Sequence, residues 1–296
     1  YRTSLSPSSA FALDGSDVLD DLARVDRKAA APGPVDDRFL GRLESPQVVT
    51  LMFEKPLQKL SGSPVLMMDG WVEYPYSQTC FAAWQADATY DPPTIEALNS
   101  EGVWQTILVK VGYPAGMPRQ MSVPLDGLPE ECMGLRVSTN LDLYWDAMKV
   151  IGSEPCPGAR RHVLPMTGAE LLHVGFPARA NSDQKYPSFD WSSRTPLWDT
   201  RYQKGFYTRF GDVSKLIRNQ DHALAIFGTG EAVNVQFARP MSRLSPGWSA
   251  RLVLEIEGWC KDKDMFTSGG DTIEPLPVEA SGEAALLHES LNDRWM

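Results

Sequence analysis

Two segments of this 296-residue chain repeat one another at a constant spacing of 184 residues. Residues 48–62 read VVTLMFEKPLQKLSG, and residues 232–246 read AVNVQFARPMSRLSP. The identical positions are Val49/Val233, Phe53/Phe237, Pro56/Pro240, Leu60/Leu244 and Ser61/Ser245. Repetition over a stretch of this length predicts that a structural unit occurs twice in the fold.

Shorter echoes extend the repeat in both directions. They are Asp69-Gly70-Trp71 with Glu257-Gly258-Trp259, and Asp17-Val18, Leu22 and Asp26 with Asp212-Val213, Ile217 and Asp221. The repeated unit therefore includes residues on both sides of the main segment. We expect two related halves, of which only the first carries the additional residues 73–151.

The strand pattern indicates a mainly β protein. Between residues 135 and 145, apolar residues alternate with Arg136, Ser138, Asn140, Asp142 and Tyr144, which is the period-2 pattern of a strand with one buried face. Further short apolar segments between turn residues include 48–53, 65–72, 104–111, 171–176, 223–227, 232–237 and 250–256. We predict two related β-sandwich-like halves of jelly-roll type, with short helices at 16–24 and 212–218.

The predicted domain limits follow these patterns. Residues 1–44 form an N-terminal arm with a short helix, 45–158 a β-sandwich-like domain, 159–280 a second β-rich domain that carries the repeat, and 281–296 a tail. The net charge of −10 argues against nucleic acid as a partner. Because no stretch of about 18 apolar residues occurs, no transmembrane segment is predicted. Since the chain begins at Tyr1, we expect a processed protein or a part of a longer one.

The four cysteines, Cys80, Cys132, Cys156 and Cys260, are widely spaced. No CxxC pair or zinc-ribbon spacing occurs. They could form two disulfides or remain four buried thiols, and the apolar surroundings of Cys80 and Cys260 in the sequence favour buried thiols.

One candidate metal site lies in the loop after residue 260. Asp262, Asp264 and Asp271 could bind a cation such as Ca²⁺, but the spacing is not that of an EF-hand and lysines are interleaved. A solvated loop is the favoured interpretation. The four histidines form no HxxxH or HExxH pair, so we predict no catalytic residue and no cofactor-binding residue.

Three groups of residues are candidates for binding a ligand or a partner. Glu73, Tyr74 and Tyr76 could line one end of a sandwich, or could bury their rings at an ordinary corner. Asn140 and Asp142 could hold a sugar on the outer face of their strand, although alternation alone also places polar residues there. The rings and cations of residues 186–210, among them Trp191, Trp198, Arg201 and Tyr202, could form a protein interface or cap the second core.

Several sequence segments resemble those of one known family. They are Gly70–Thr79 (GWVEYPYSQT), Phe81–Ala86 (FAAWQA), Gly112–Arg119 (GYPAGMPR), Ser138–Asp146 (STNLDLYWD) and Gly258–Phe266 (GWCKDKDMF). Together they resemble the C-terminal region of bacterial exported proteins with FG-GAP repeats, an ASPIC/UnbV segment and tetratricopeptide repeats, over residues 13–277. The resemblance implies an exported, periplasmic or extracellular, non-enzymatic module and supplies no catalytic residue. Residues 135–146 are also similar to strands of galactose-binding-like sandwiches.

The first functional interpretation is therefore a structural or protein-interaction module. It would be an accessory subunit of a larger extracytoplasmic or membrane-associated assembly, such as a complex of electron transfer or photosynthesis, with protein partners and no cofactor. A carbohydrate-binding module is the alternative, and an unrecognised hydrolase is a further one.

Overall fold

The computed structural model describes residues 1–195, 202–239, 244, 246–278 and 282–293. The fold is mainly β, as predicted, and its strands form antiparallel sheets. The chain divides into two compact units: unit 1 comprises Tyr1–Gly158 and Arg179–Ser188, and unit 2 comprises Ala159–Ala178 and Phe189–Met296. Within the described ranges, no helix combines the length and the apolar character needed to cross a bilayer.

Unit 1 contains two sheets. Its strands are β1 (Thr3–Leu5), β2 (Ser9–Ala12), β3 (Arg42–Met52), β4 (Ser63–Val72), β5 (Thr94–Leu98), β6 (Trp104–Leu108), β7 (Arg119–Pro124), β8 (Gly134–Leu141) and β9 (Leu143–Ser153). One sheet has the order β1-β9-β4-β7 and the other β2-β3-β8-β5-β6. Residues 1–44, predicted as an arm, contribute β1 to the first sheet and β2 to the second.

One apolar core lies between these two sheets. Leu51 of β3, Leu135 of β8, Leu66 of β4 and Trp145 of β9 all belong to it and are fully buried. Burial of each such side chain contributes about 1.5–3 kcal/mol to folding. Unit 1 is therefore a β-sandwich held together by both of its sheets.

The predicted strand 135–145 is divided at Asp142. β8 ends at Leu141 in one sheet and β9 begins at Leu143 in the other, so the chain changes layers at Asp142. The expectation that Asn140 and Asp142 lie on an outward face is wrong, because both are buried. Neighbouring loops cover this corner of the sandwich.

Unit 2 has smaller sheets. Its elements are β10 (Met166–His173), β11 (Phe176–Asn181), β12 (Pro187–Thr195), β13 (Gly211–Asp212), α2 (Ser214–Ile217), β14 (Glu231–Phe237) and α3 (Gly282–Asn292). The sheet order is β13-β10-β14, and β11 and β12 form a hairpin whose tip is grouped with unit 1. The core around Ala169, Leu171, Val213 and Leu216 is small.

The repeated segments share a local geometry. In unit 1, Ala10 lies opposite Leu51, and the Val18 N–H donates to the Ala10 carbonyl at 3.0 Å. In unit 2, Ala169 lies opposite Val235, and the Val213 N–H donates to the Ala169 carbonyl at 2.9 Å. The aspartate before each valine accepts a backbone N–H from two residues further on, with distances of 2.8 Å at Asp17 and 2.9 Å at Asp212.

The surroundings of the repeats nevertheless differ. Phe53 is 2% exposed, whereas its counterpart Phe237 is 45% exposed. Residues 223–227 and 250–256, predicted as strands, have no strand structure. The strands that cover β3 and β4 in unit 1 come largely from residues 73–151, and the shorter second unit has no corresponding stretch of sequence.

The helices also differ from the sequence pattern. The predicted helix at 16–24 is reduced to one 3₁₀ turn, Asp20–Leu22. Helix α1 (Ser77–Gln85) lies in a stretch for which no helix was predicted. The predicted four buried thiols are also wrong, because only Cys132 is buried and the other three cysteines are exposed, all as free thiols.

Candidate functional site

Four exposed aromatic side chains lie on and just before α1. Tyr74 and Tyr76 meet edge to face with ring centroids 5.8 Å apart, and the rings of Phe81 and Trp84 lie 5.6 Å apart. Trp84 is 70% exposed. We call Tyr74, Tyr76, Phe81 and Trp84 the aromatic surface.

The local sequence accounts for this arrangement. Tyr76 is the extended residue that precedes the first turn of α1, and its carbonyl accepts the Cys80 N–H at 2.9 Å. Ala83 is fully buried and anchors the helix to unit 1. Because Phe81 and Trp84 are three residues apart, their side chains lie on the same side of the helix.

A buried ion pair lies next to the beginning of this segment. The Glu73 N–H donates to the Asp142 carbonyl at 3.1 Å. The Asp142 carboxylate is fully buried, and its Oδ2 accepts from Lys185 Nζ at 2.6 Å. The other carboxylate oxygen, Oδ1, has no hydrogen-bond partner among the described residues.

Three aromatic rings belong to residues next to this pair or packed against those neighbours. Trp71 stacks parallel to Tyr144 with centroids 5.6 Å apart, and Tyr186 meets Trp71 edge to face at 4.9 Å. The Trp71 Nε1–H donates to the Gln184 carbonyl at 2.7 Å. Burial, reinforced by the Asp142 charge, raises the pKa of Tyr144 above its ordinary value. Tyr144 therefore stays protonated, and the cluster holds the 182–186 turn against Trp71 of β4.

The Asn140 side chain forms hydrogen bonds with other residues of unit 1. Its Nδ2 donates to the Thr89 carbonyl at 2.9 Å and to Asp91 Oδ2 at 2.8 Å, and its Oδ1 accepts the Asp91 N–H at 2.7 Å. It thus holds the loop before β5. The two residues predicted to bind sugar together, Asn140 and Asp142, are neighbours in a buried corner rather than on a surface.

A pocket of about 290 Å³ lies beside β4 and β9. Its polar side chains are Arg24, Asp69, Gln120 and Lys149, and Gln120 donates to Asp69 at 2.9 Å. All of its lining residues are described, and none of them is an aromatic residue on which a sugar ring could stack.

The three aspartates proposed as metal ligands make different contacts. The carboxylate of Asp264 accepts the backbone N–H groups of Phe266 and Thr267 at 2.7 and 2.8 Å and so stabilises its own turn. Asp271 forms a loose ion pair with Lys204 at 3.9 Å, and Asp262 is exposed. No group of three or more His, Cys, Asp or Glu side chains placed to hold a metal ion occurs among the described residues.

The remaining candidates lie in unit 2. Trp191 is exposed on β12, with the Arg194 guanidinium 5.0 Å from its ring centroid. Tyr202 is partly exposed and donates through its hydroxyl to the Thr229 carbonyl at 2.8 Å. Trp198 and Arg201 lie outside the described residues.

The sequence interpretation named two of the four residues of the aromatic surface. Tyr74 and Tyr76 were predicted, whereas Phe81 and Trp84 were not nominated as contact residues. The available signal was the Phe-x-x-Trp spacing in an Ala- and Gln-containing segment, which is compatible with a helix.

Comparisons with known proteins give little. No protein-family model matches the chain, and no curated protein matches it. A solved structure described as "CpGH89CBM32-6 produced by Clostridium perfringens" is similar at 14% identity over 45% of this chain and 84% of that one, with a TM-score of 0.28. A likeness at this TM-score carries no argument about function.

Proposed function

We propose that this protein is a non-enzymatic interaction module whose aromatic surface binds a protein partner within a larger assembly. The observation that carries the proposal is the exposure of Trp84 and Phe81 side by side on α1. Exposed aromatic rings are costly to leave in water, and aromatic residues are enriched at the energetic centres of protein interfaces.

Contacts within unit 1 hold the segment that carries the aromatic surface. α1 is anchored by buried Ala83, and the segment before it is tied to Asp142, whose carboxylate is held by Lys185. A surface whose backbone is held in this way loses little conformational entropy when a partner binds. The buried ion pair then acts as a support of the interface and not as a reactive group.

The shared geometry of the repeats supports a scaffolding role. We infer that the segments around Leu51 and Val235 descend from one duplicated unit, because strand register and the Asp-Val hydrogen bonds coincide. The family resemblance supports a place outside the cytoplasm, in an extracytoplasmic or membrane-associated assembly. Fractionation of the source cells tests that location.

Affinity purification of the full chain from the cells that make it tests the interaction. We expect a partner in constant stoichiometry with the wild type. Phe81→Ala or Trp84→Ala should lower its affinity roughly 30-fold, the effect of removing one hot-spot ring. Phe11→Ala is the matched control, because Phe11 and Phe81 are both 38% exposed. Equal recovery with all variants would refute the proposal.

A further inference from the structure

Residues Arg251–Glu257 carry a strand pattern without a strand. Leu252, Leu254 and Ile256 alternate with Arg251, Val253, Glu255 and Glu257, and they are 84%, 63% and 78% exposed. No backbone hydrogen bond joins residues 250–260 to any other part of the chain that the structure describes. Alternating apolar residues in an extended segment gain stability when a neighbouring strand pairs with them.

The repeat shows how such a segment behaves when it is paired. Counting back from Gly-Trp in each copy, Leu66 and Met68 of β4 correspond to Leu254 and Ile256. Both β4 residues are fully buried, and β4 pairs with β9 on one side and β7 on the other. The counterpart in unit 2 thus has the residues of a sheet strand, but no strand of the described part of unit 2 pairs with it.

We propose that Arg251–Glu257 pairs antiparallel with the same residues of a second copy of this chain. With Leu254 on the two-fold axis, Arg251 of each copy lies opposite Glu257 of the other, and each Leu252 lies opposite Ile256. Opposite charges and apolar pairs placed directly across an antiparallel ladder are both stabilising. Among the described residues, neither Arg251 nor Glu257 has an ion-pair partner.

The neighbouring registers are less favourable. With Glu255 on the axis, two Glu255 carboxylates would lie opposite each other. With Val253 on the axis, Arg251 would compete for Glu255, which already accepts two hydrogen bonds from Arg161 at 3.0 and 2.9 Å. The charge pattern therefore selects a closed, two-fold dimer, the commonest form of homo-oligomer.

Sedimentation velocity of the full chain over a range of concentrations tests the pairing. A contact of this small size predicts a dissociation constant on the order of 10 µM. Arg251→Glu and Glu257→Arg should each weaken the dimer at least about tenfold, since both place like charges opposite each other twice. An equimolar mixture of the two variants should form a heterodimer, because every charge pair is then restored.

Two controls separate this result from general effects. Arg119→Glu makes the same charge change on an exposed residue of unit 1 and should leave the dimer unchanged, and Ile256→Glu should abolish it while Met265→Glu does not. A wild-type monomer at about 100 µM, growth beyond dimers, or a mixture that stays monomeric would overturn the proposal. Because Phe81 and Trp84 lie in a different segment, their alanine variants should dimerise normally whether or not the proposed function is correct.

Discussion

Removing the cation from the buried ion pair should destabilise unit 1 more than removing the anion's charge. Lys185→Met leaves the fully buried Asp142 carboxylate without its partner at 2.6 Å, while its second oxygen already has none among the described residues. Loss of one member of a buried pair costs about 3–5 kcal/mol. The lower end applies because the Lys185 side chain is 33% exposed.

Asp142→Asn should cost less, about 1 kcal/mol, because a partly exposed lysine can turn its ammonium group toward water. With a urea m-value of about 2 kcal/mol/M, the Lys185→Met transition should move to lower urea by about 1.5 M and the Asp142→Asn transition by about 0.5 M.

The assay is hydrogen-exchange mass spectrometry across a urea series, read on peptides from β9 so that unit 1 is observed separately from unit 2. The double variant closes a thermodynamic cycle, and we expect a coupling energy of about 2 kcal/mol. Equal effects of the two single variants, or a larger effect of Asp142→Asn, would refute the reasoning that burial of the carboxylate dominates.

Other predictions concern titration, close packing and thiol access. Burial raises the pKa of Asp146, so the contribution of Asp146 to stability is present below its unfolded pKa near 3.8 and is lost as the pH rises through its folded pKa. Asp146→Asn should remove this pH dependence of stability, as measured by urea titrations at several pH values. A guanidinium hydrogen bond lowers the pKa of Asp36, so the contribution of Asp36 to the free energy of unfolding is present above about pH 4 and is lost at lower pH. Asp36→Asn should therefore change the pH dependence of the free energy of unfolding in the opposite direction to Asp146→Asn. Gly70→Ala should cost about 1–3 kcal/mol, because its Cβ would collide with a backbone carbonyl of β9, whereas Gly258→Ala, with open space around it, should unfold at the same urea concentration as the wild type. Iodoacetamide should label Cys156 and Cys260 of the native protein quickly, Cys80 more slowly because burial raises the pKa of its thiol, and Cys132 only on unfolding, as peptide mapping would show.

The β content could be predicted because it depends on local patterns. The apolar run at 48–53 lies in β3 up to Met52, the run at 65–72 lies in β4, and the segment 232–237 lies in β14. Each run carries the β-branched and apolar residues that fit a half-buried pleated surface. The local sequence was therefore sufficient to predict a strand wherever another strand pairs with it in the fold.

Tertiary context decided the remaining elements. Residues 250–256 have the pattern of a strand, but no neighbour pairs with them among the described residues. The alternation at 135–145 did not reveal that the chain changes sheets at Asp142, because both strands keep the same period. Cys260 was expected to be buried on the basis of an apolar stretch that proves to be exposed.

Half of the candidate site depended on such context. Tyr74 and Tyr76 could be nominated from an aromatic loop after a strand, whereas the exposure of Trp84 depends on which side of α1 meets unit 1. The burial of Asn140 and Asp142 depends on Asp91 and Lys185, which lie 49 and 43 residues away in the chain. Pairings at such separations leave no mark in a single sequence.

The layer change at Asp142 links the alignment of the two sheets. Leu141 is the last residue of β8 and Leu143 is the first residue of β9, so a single residue joins the two sheets at this point. A two-residue shift in the register of β8 would therefore also shift the register of β9, so the pairing in both sheets would be wrong. The corner at Asp142 thus couples the strand registers of the two sheets, so that both are correct or both are wrong.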